Sequence, residues 1–162
     1  MSKIILCRGI QGSGKTTWAK DWVKEFPVNR IRINNDDIRN MLGPYWIPER
    51  ENLVSEIKKK TAQYAMYMNF DIVVDNMNLN PKEIEFWKEV VNIHNHMINI
   101  RNHMITSPAG QKEMICEYEL EIKDFFNIPL QDCIDRDSKR PNPIGEEVIR
   151  KTYEKYKHII EK

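Results

Sequence analysis

The chain has little of what marks several protein classes. It has three cysteines, Cys7, Cys116 and Cys133, an odd number spread widely among apolar neighbours. That excludes a disulfide framework and reads as reduced thiols of a cytosolic protein. There is no C-x-x-C pair, and His94, His96 and His103 have no matching second cluster, so zinc is not expected. No apolar run approaches the roughly 20 residues that cross a bilayer. The first residues enter a strand pattern directly, so neither a signal peptide nor membrane attachment is expected. An excess of either charge is also missing: 25 basic and 24 acidic residues give a net charge of +1. Such a balance neither supports nor excludes a nucleic-acid partner, because a local basic channel suffices. Repeats, low-complexity tracts and linkers are absent, so the 162 residues read as one domain, 1–162. About two-thirds of the surface of an unfolded chain this long is buried on folding.

Glycine is scarce too, yet three of the six glycines fall between residues 9 and 14. Gly9-Ile10-Gln11-Gly12-Ser13-Gly14-Lys15-Thr16 fills every fixed position of the phosphate-loop pattern G-x-x-x-x-G-K-[ST]. Lys3–Cys7 before it is a short apolar run, as a buried parallel strand requires. Residues 17–26 after it carry apolar side chains at 18, 19, 22, 23 and 26, one face of a helix. Glycines let such a loop curl its N–H groups toward phosphate oxygens, and the helix N-terminus adds its positive end. Gly12, Ser13, Gly14, Lys15, Thr16 and Thr17 are the expected phosphate-binding set. Lys15 would bridge the β- and γ-phosphates of ATP, and the Thr16 hydroxyl would ligate Mg²⁺.

Residues 28–33 alternate and read as a second strand. Asn34-Asn35-Asp36-Asp37 follows at its C-terminal end, the edge where open α/β sheets bind ligands. One acid of the Asp36/Asp37 pair suits chemistry and one suits the cap of a short helix over 37–42; spacing does not choose between them. Arg39 lies on that helix. Tyr45 and Trp46 form an aromatic loop, expected to pack beneath itself, with base stacking as the alternative. Residues 49–69 read as a long helix with Leu53, Val54, Ile57, Thr61, Tyr64, Ala65 and Met68 in phase. Lys58-Lys59-Lys60 is expected on its solvated side, with a phosphate-backbone contact as the sharper option. A third strand over 70–75 ends in Asp75, a Walker B-like acid that would orient Mg²⁺ through water. Asn80, Pro81 and Glu83 start a helix running to about 105, although 96–105 also reads as a strand. The stretch 107–110 breaks the chain.

Cys116, Tyr118, Leu120 and Ile122 alternate with three glutamates, a half-exposed strand. A helix from Pro129 places Leu130, Cys133, Ile134 and Asp137 on one face. Arg136 and Arg140 lie four apart at its end, a candidate lid over phosphates or, equally, surface partners for glutamates. Residues 145–160 form a last amphipathic helix with Val148, Ile149, Tyr153, Tyr156, Ile159 and Ile160 inward. A GTPase would carry N-K-x-D, which is absent, and a motor or helicase would need more chain and more motifs. A small kinase remains, needing a base, a metal clamp and closing arginines.

Gly9–Lys20, the run Ile33-Asn34-Asn35-Asp36-Asp37-Ile38-Arg39, the loop Asp75–Pro81 and the lid Arg136-Asp137-Ser138-Lys139-Arg140 together resemble the kinase domain of phage polynucleotide 5′-hydroxyl kinases, in collinear order. The lysine triplet at 58–60 resembles that family too. The resemblance implies a three-layer α/β P-loop kinase fold: a mostly parallel sheet of four to five strands, helices on both faces and an arginine-bearing lid. It implies transfer of the γ-phosphoryl group of ATP, with Mg²⁺, to a 5′-hydroxyl end of DNA or RNA, the chemistry of nucleic-acid repair. On it, Asp36 is the general base and Arg39 holds the acceptor's neighbouring phosphate. Arg140 and Arg136 stabilise charge on the ATP phosphates, Asn76 and Asn78 line the acceptor site, and Thr16 and Asp75 serve the metal. Asn35 stands where an arginine is familiar, Met77 where a threonine is, and residues 97–113 look inserted. No D-x-D-x-T phosphatase signature is present, so 3′-end healing is not expected. The departures touch the acceptor side, which keeps two alternatives open: a small-molecule kinase for a nucleoside, sugar or nucleotide-sugar, and a non-catalytic nucleotide-binding partner.

Overall fold

A computed structural model describes residues 1–104 and 115–162. Four strands, β1 (Ser2–Arg8), β2 (Arg30–Ile33), β3 (Asp71–Asp75) and β4 (Tyr118–Asp124), form one sheet in the order β2-β3-β1-β4. All three pairings are parallel, with Ile4 opposite Ile72 and Leu120, and Ile33 opposite Val74. Among the described residues six α-helices accompany them: α1 (Lys15–Glu25), α2 (Asn35–Met41), α3 (Glu51–Tyr67), α4 (Pro81–Met104), α5 (Leu130–Ser138) and α6 (Glu146–Ile160). The expected parallel α/β fold with helices on both faces is what the chain has.

Strand alternation divides the core. Ile4, Leu6, Ile72 and Val74 pack with Val54, Ala62 and Met66 of α3 and Trp87, Val90 and Val91 of α4. Ile5, Cys7 and Val73 point the other way, onto Ala19 and Trp22 of α1. A third cluster joins Ile10 and Leu79 at the strand ends to Cys133 and Ile134 of α5 and Ile149 of α6. The phosphate-loop end of β1 is thereby packed directly on α5 and α6.

Several local expectations are corrected. Helix α2 starts at Asn35 rather than residue 37, because Asn34 is its cap: its side chain accepts from the N–H of Asp36 (2.9 Å) and Asp37 (3.1 Å). A 3₁₀ turn, Pro48–Arg50, precedes α3. The buried stripe of α3 is Val54, Lys58, Ala62, Ala65 and Met66, so Leu53, Tyr64 and Met68 face out. Lys58 is only 3 % exposed. Its Nζ meets Glu83 at 2.9 Å and lies 5.3 Å from the Phe86 ring centre, which places its apolar stem in the core instead of on a solvated face. Helix α4 continues to Met104, which removes the strand alternative over 96–104; the chain break at 107–110 and most of the apparent insertion lie outside the described residues. Val148 of α6 is exposed rather than inward. None of the described helices is long and apolar enough to cross a membrane.

Candidate active site

The C-terminal ends of β1, β2 and β3 converge on one edge. The loop after β1 is pinned to the one after β3, with Gly9 N donating to Met77 O (3.1 Å). Within the loop Gly12 (φ 79) and Gly14 (φ 94) have left-handed backbones, and Gly14 caps α1 so that the helix begins at Lys15. A Cβ on Gly12 would lie 2.1 Å from the carbonyl oxygen of Cys133, so the loop touches the α5 backbone directly. Lys15 Nζ donates to Ile10 O at 2.7 Å and reaches Ser13 Oγ at 3.4 Å. Burial pushes the Lys15 amine down to about 8, against the pull of Asp75.

Asp75 is 1 % exposed at the end of β3. Its Oδ2 accepts from Arg32 Nη1 (3.2 Å), and Arg32 Nη2 donates to Asp37 Oδ2 (2.6 Å), so one guanidinium bridges both acids. Burial raises Asp75 above the usual carboxylate range, opposed by the Thr16 hydroxyl, Arg32 and Lys15. Among the described residues its Oδ1, though buried, has no hydrogen-bond partner. A buried, unpartnered carboxylate oxygen near a threonine hydroxyl suits a hard divalent cation, so the residues present fit Mg²⁺.

Asp36 and Asp37, which spacing left equivalent, are separated by their partners. Asp37 belongs to Arg32. Asp36 opens onto the cleft, where its Oδ1 accepts from Arg39 Nη1 (2.6 Å) and from the Tyr45 hydroxyl (2.8 Å). Arg39 also donates to both oxygens of Glu51, Nε to Oε1 at 2.9 Å and Nη2 to Oε2 at 2.7 Å. That paired geometry raises Arg39 further above its ordinary value and holds Glu51 below the usual range, chiefly through the hydrogen bonds they share. Asn76 pairs with Asn35 through its Oδ1 (3.0 Å from Asn35 N) and its Nδ2. Asn34 Nδ2 donates to Asp75 O, tying the ends of β2 and β3.

Asn78 does not join this wall. It is buried with φ 47, and its amide donates to Cys7 O (2.8 Å) and Val74 O (3.1 Å), stitching β1 to β3 beneath the loop. Met77 reaches the cleft instead. Tyr45 and Trp46 do not pack beneath their loop as expected: 51 % and 57 % of their surfaces are exposed.

Two clefts flank the phosphate loop. One, of about 330 Å³, is lined by Lys15, Thr16, Asp36, Arg39, Tyr45, Asp75, Asn76 and Arg140. The other, of about 770 Å³, lies between Gly12, Ser13, Gly14, Thr17 and Trp18 on one side and Phe125, Ile128 and Arg136 on the other. Arg140 lines both. Its partner is Asp137, at 3.5 Å, rather than a glutamate. Asp137 is 1 % exposed and its Oδ2 accepts from the N–H of Ile144 (2.9 Å) and Gly145 (3.0 Å), folding the turn between α5 and α6. The structure thus brings together every candidate except Asn78. Sequence reasoning missed Arg32, Tyr45 and Glu51 as organisers. Only Asn34, a capping residue directly before a helix, carried a local signal.

A family model described as an AAA domain matches residues 4–161. A curated protein of Autographa californica nuclear polyhedrosis virus, named "Putative bifunctional polynucleotide kinase/RNA ligase", is 23% identical over 171 residues, covering 95% of this chain and 21% of its own length. A chain from the structure of the Pnkp1/Rnl/Hen1 RNA repair complex superposes with a TM-score of 0.69 at 18% identity, over 99% of this chain and 45% of that one. The Mycobacterium tuberculosis APS kinase CysC in complex with AMPPNP and APS gives 0.57 at 15% identity, over 85% of this chain and 69% of that one. The chain therefore spans about a fifth of the viral relative and under half of the repair-complex chain, and the two solved structures share its fold.

Proposed function

The chain belongs to the AAA-domain family whose model spans residues 4–161, and from that premise we propose that it transfers the γ-phosphoryl group of ATP to a 5′-hydroxyl end of DNA or RNA. The observation that carries this is the shared cleft: Asp36 opens onto the same space as Lys15, Thr16 and Asp75. A phosphoryl donor on the loop and an acceptor hydroxyl on Asp36 would meet there in line.

Donor binding falls to Gly12, Ser13, Gly14, Lys15, Thr16 and Thr17, with the nucleoside in the larger cleft beside Arg136. Lys15 would exchange the Ile10 carbonyl for the phosphate oxygens. Thr16 and Asp75 would hold Mg²⁺, which when bound offsets charge on the β- and γ-phosphates. Asp36 takes the proton of the 5′-hydroxyl as its oxygen bonds to the γ-phosphorus. The bond from that phosphorus to the bridging oxygen breaks, and ADP leaves. Arg140, lining both clefts, lies where charge develops between them. Asn76 lines the acceptor side. Arg39 orients Asp36 and keeps two N–H groups beyond the three already donated.

The test is γ-labelled ATP offered with a 5′-hydroxyl oligonucleotide, and separately with nucleosides and sugars. Label on the oligonucleotide, with turnover lowered at least ~10²-fold in Asp36→Asn while ATP still binds, is the expected result. Wild-type turnover in that variant would place the base elsewhere. A second reading, a small nucleoside-like acceptor, is favoured by one observation: Arg39 is already matched by two carboxylates. It predicts label on small molecules alone and an acceptor KM that stays flat as salt rises, whereas phosphate contacts weaken with salt.

A further inference from the structure

We propose that Tyr45 is both a positioning residue for Asp36 and a stacking face for an aromatic base next to the reacting hydroxyl. The proposal rests on Asp36 as the base in the reading above, and it narrows the acceptor to a nucleoside end.

Three observations converge on this residue. First, the Tyr45 hydroxyl donates to Asp36 Oδ1 at 2.8 Å, and Arg39 Nη1 takes the same oxygen at 2.6 Å. Glu51 anchors Arg39 from behind through two bonds. Two donors on Oδ1 fix the carboxylate's rotation and leave Oδ2 for the incoming hydroxyl. Second, the Tyr45 ring lines the cleft yet stays half exposed, with Trp46 beside it. Rings of this size usually bury their faces, and these two are steadied by Arg39, 6.0 Å and 5.1 Å from their centres. Third, the cation beside Tyr45 is already matched, while Lys15 and Arg140 belong to the phosphate-loop side of the same cleft. Arg39 contributes one positive charge against two negative ones, from Asp36 and Glu51, and Asn35 and Met77 add none.

Those three facts decide what the wall can recognise. A phosphate next to the acceptor hydroxyl would meet a compensated cation. An aromatic base would meet an open π-face one hydrogen bond away from the catalytic carboxylate. Stacking of this kind tolerates any base, because every base has a π-face. Hydroxyl and ring therefore act on different steps: the hydroxyl on turnover, the ring on acceptor binding.

Two substitutions separate them. Tyr45→Phe keeps the ring and should lower kcat roughly tenfold or more, the loss of a hydrogen bond to a charged group, with acceptor KM unchanged. Tyr45→Leu should also raise acceptor KM roughly 5- to 150-fold. An oligonucleotide abasic at its first residue should show the same KM rise with wild-type protein and no further rise with Tyr45→Leu. An undiminished preference for the base-bearing oligonucleotide in Tyr45→Leu overturns the stacking role, and unchanged kcat in Tyr45→Phe overturns the positioning role. A readout free of turnover separates failure here from failure of the assigned reaction. With ring-¹³C tyrosine, Tyr45 should titrate above an ordinary tyrosine, as burial and the bond to Asp36 require, and fall in Asp36→Asn. Its ring signals should shift with the base-bearing oligonucleotide and not with the abasic one. Should wild-type protein label no oligonucleotide, the reaction assignment fails; unmoved Tyr45 signals in both experiments would sink the Tyr45 proposal independently.

Discussion

Replacing Gly12 by alanine tests whether phosphate loop and lid helix are one mechanical unit. The new Cβ would sit 2.1 Å from the Cys133 carbonyl oxygen, and 2.8 Å and 2.9 Å from its carbonyl carbon and Cα. Reaching ordinary contact at 3.4 Å requires α5 to retreat by 3.4 − 2.1 = 1.3 Å. Backbone atoms, unlike the end of a long side chain, cannot swing away. The left-handed φ of 79 adds strain of about 1–2 kcal/mol for a residue with a Cβ. Overpacking adds about 1–3 kcal/mol, for a total of roughly 2–5 kcal/mol. For a chain of this size that is a fall in Tm of roughly 4–20 °C. Because α5 carries Arg136 and leads into Arg140, a displacement of this size should also lower turnover by about 10²-fold. Gly14→Ala is the control. Its φ of 94 is equally left-handed, but its Cβ would meet only Arg136 Nη1, at 3.7 Å. It should lose only about 2–8 °C, from strain alone, while placing a methyl group in the phosphate cradle. Thermal melts by circular dichroism, with ATP binding measured alongside, give the comparison. Equal Tm values for the two variants would refute the coupling of loop to lid.

Three further outcomes follow from charge and burial. Lys15, held at about 8 in the free protein, loses its proton as pH rises through that value, and phosphate oxygens favour its return. ATP binding should therefore take up a proton near pH 9 and almost none near pH 6.5, seen as buffer-dependent heats in calorimetry; buffer-independent heats at pH 9 would contradict it. Lys58→Met keeps the apolar stem and removes a buried charge while Glu83, 39% exposed, stays solvated, so Tm should hold or rise, and oligonucleotide affinity should stay unchanged because Nζ is paired with Glu83. A drop in affinity there would restore the phosphate-contact role. Asp137→Ala strands the N–H groups of Ile144 and Gly145, at about 1–3 kcal/mol for each group left buried without a partner, so Tm should fall, and turnover with it as the turn that holds Arg140 between α5 and α6 loosens.

What was legible in the sequence was local. The phosphate loop, the apolar strands and Asp75 at the end of β3 lie in contiguous stretches whose periodicity is their signature. What was not legible was made by distance. Arg39 finds Glu51 twelve residues on, and Arg32 reaches Asp75 forty-three residues on. Neither pairing leaves a trace in hydrophobic pattern. Helix α3 shows the same limit from the other side. A stripe drawn through apolar residues took in Tyr64 and missed Lys58, because burial there follows packing on Phe86 and Trp87 of α4 rather than side-chain class. Asn78 was misplaced for a related reason. Its polar character suggested a cleft wall, but the carbonyls of Cys7 and Val74 were nearer and unmet.

The two sides of the candidate cleft differ in how their cations are held. On the acceptor side Arg32 sits between Asp37 and Asp75, and Arg39 between Asp36 and Glu51. Both are tied to carboxylates on separate elements, so their charge is already matched, and neither can turn wholly to a new anion without loosening partners that fix the strand ends or Asp36. On the donor side Lys15 rests on a neutral carbonyl, and Arg140 makes a looser 3.5 Å contact while remaining 44% exposed. Those two can change partners at little cost when phosphates arrive. Mobile charge thus lies where a triphosphate would bind, and committed charge lies where geometry must be kept. On the proposed reading, an acceptor meeting the committed side is recognised by shape and by stacking, which is why Tyr45, rather than another arginine, is the residue on which acceptor choice should turn.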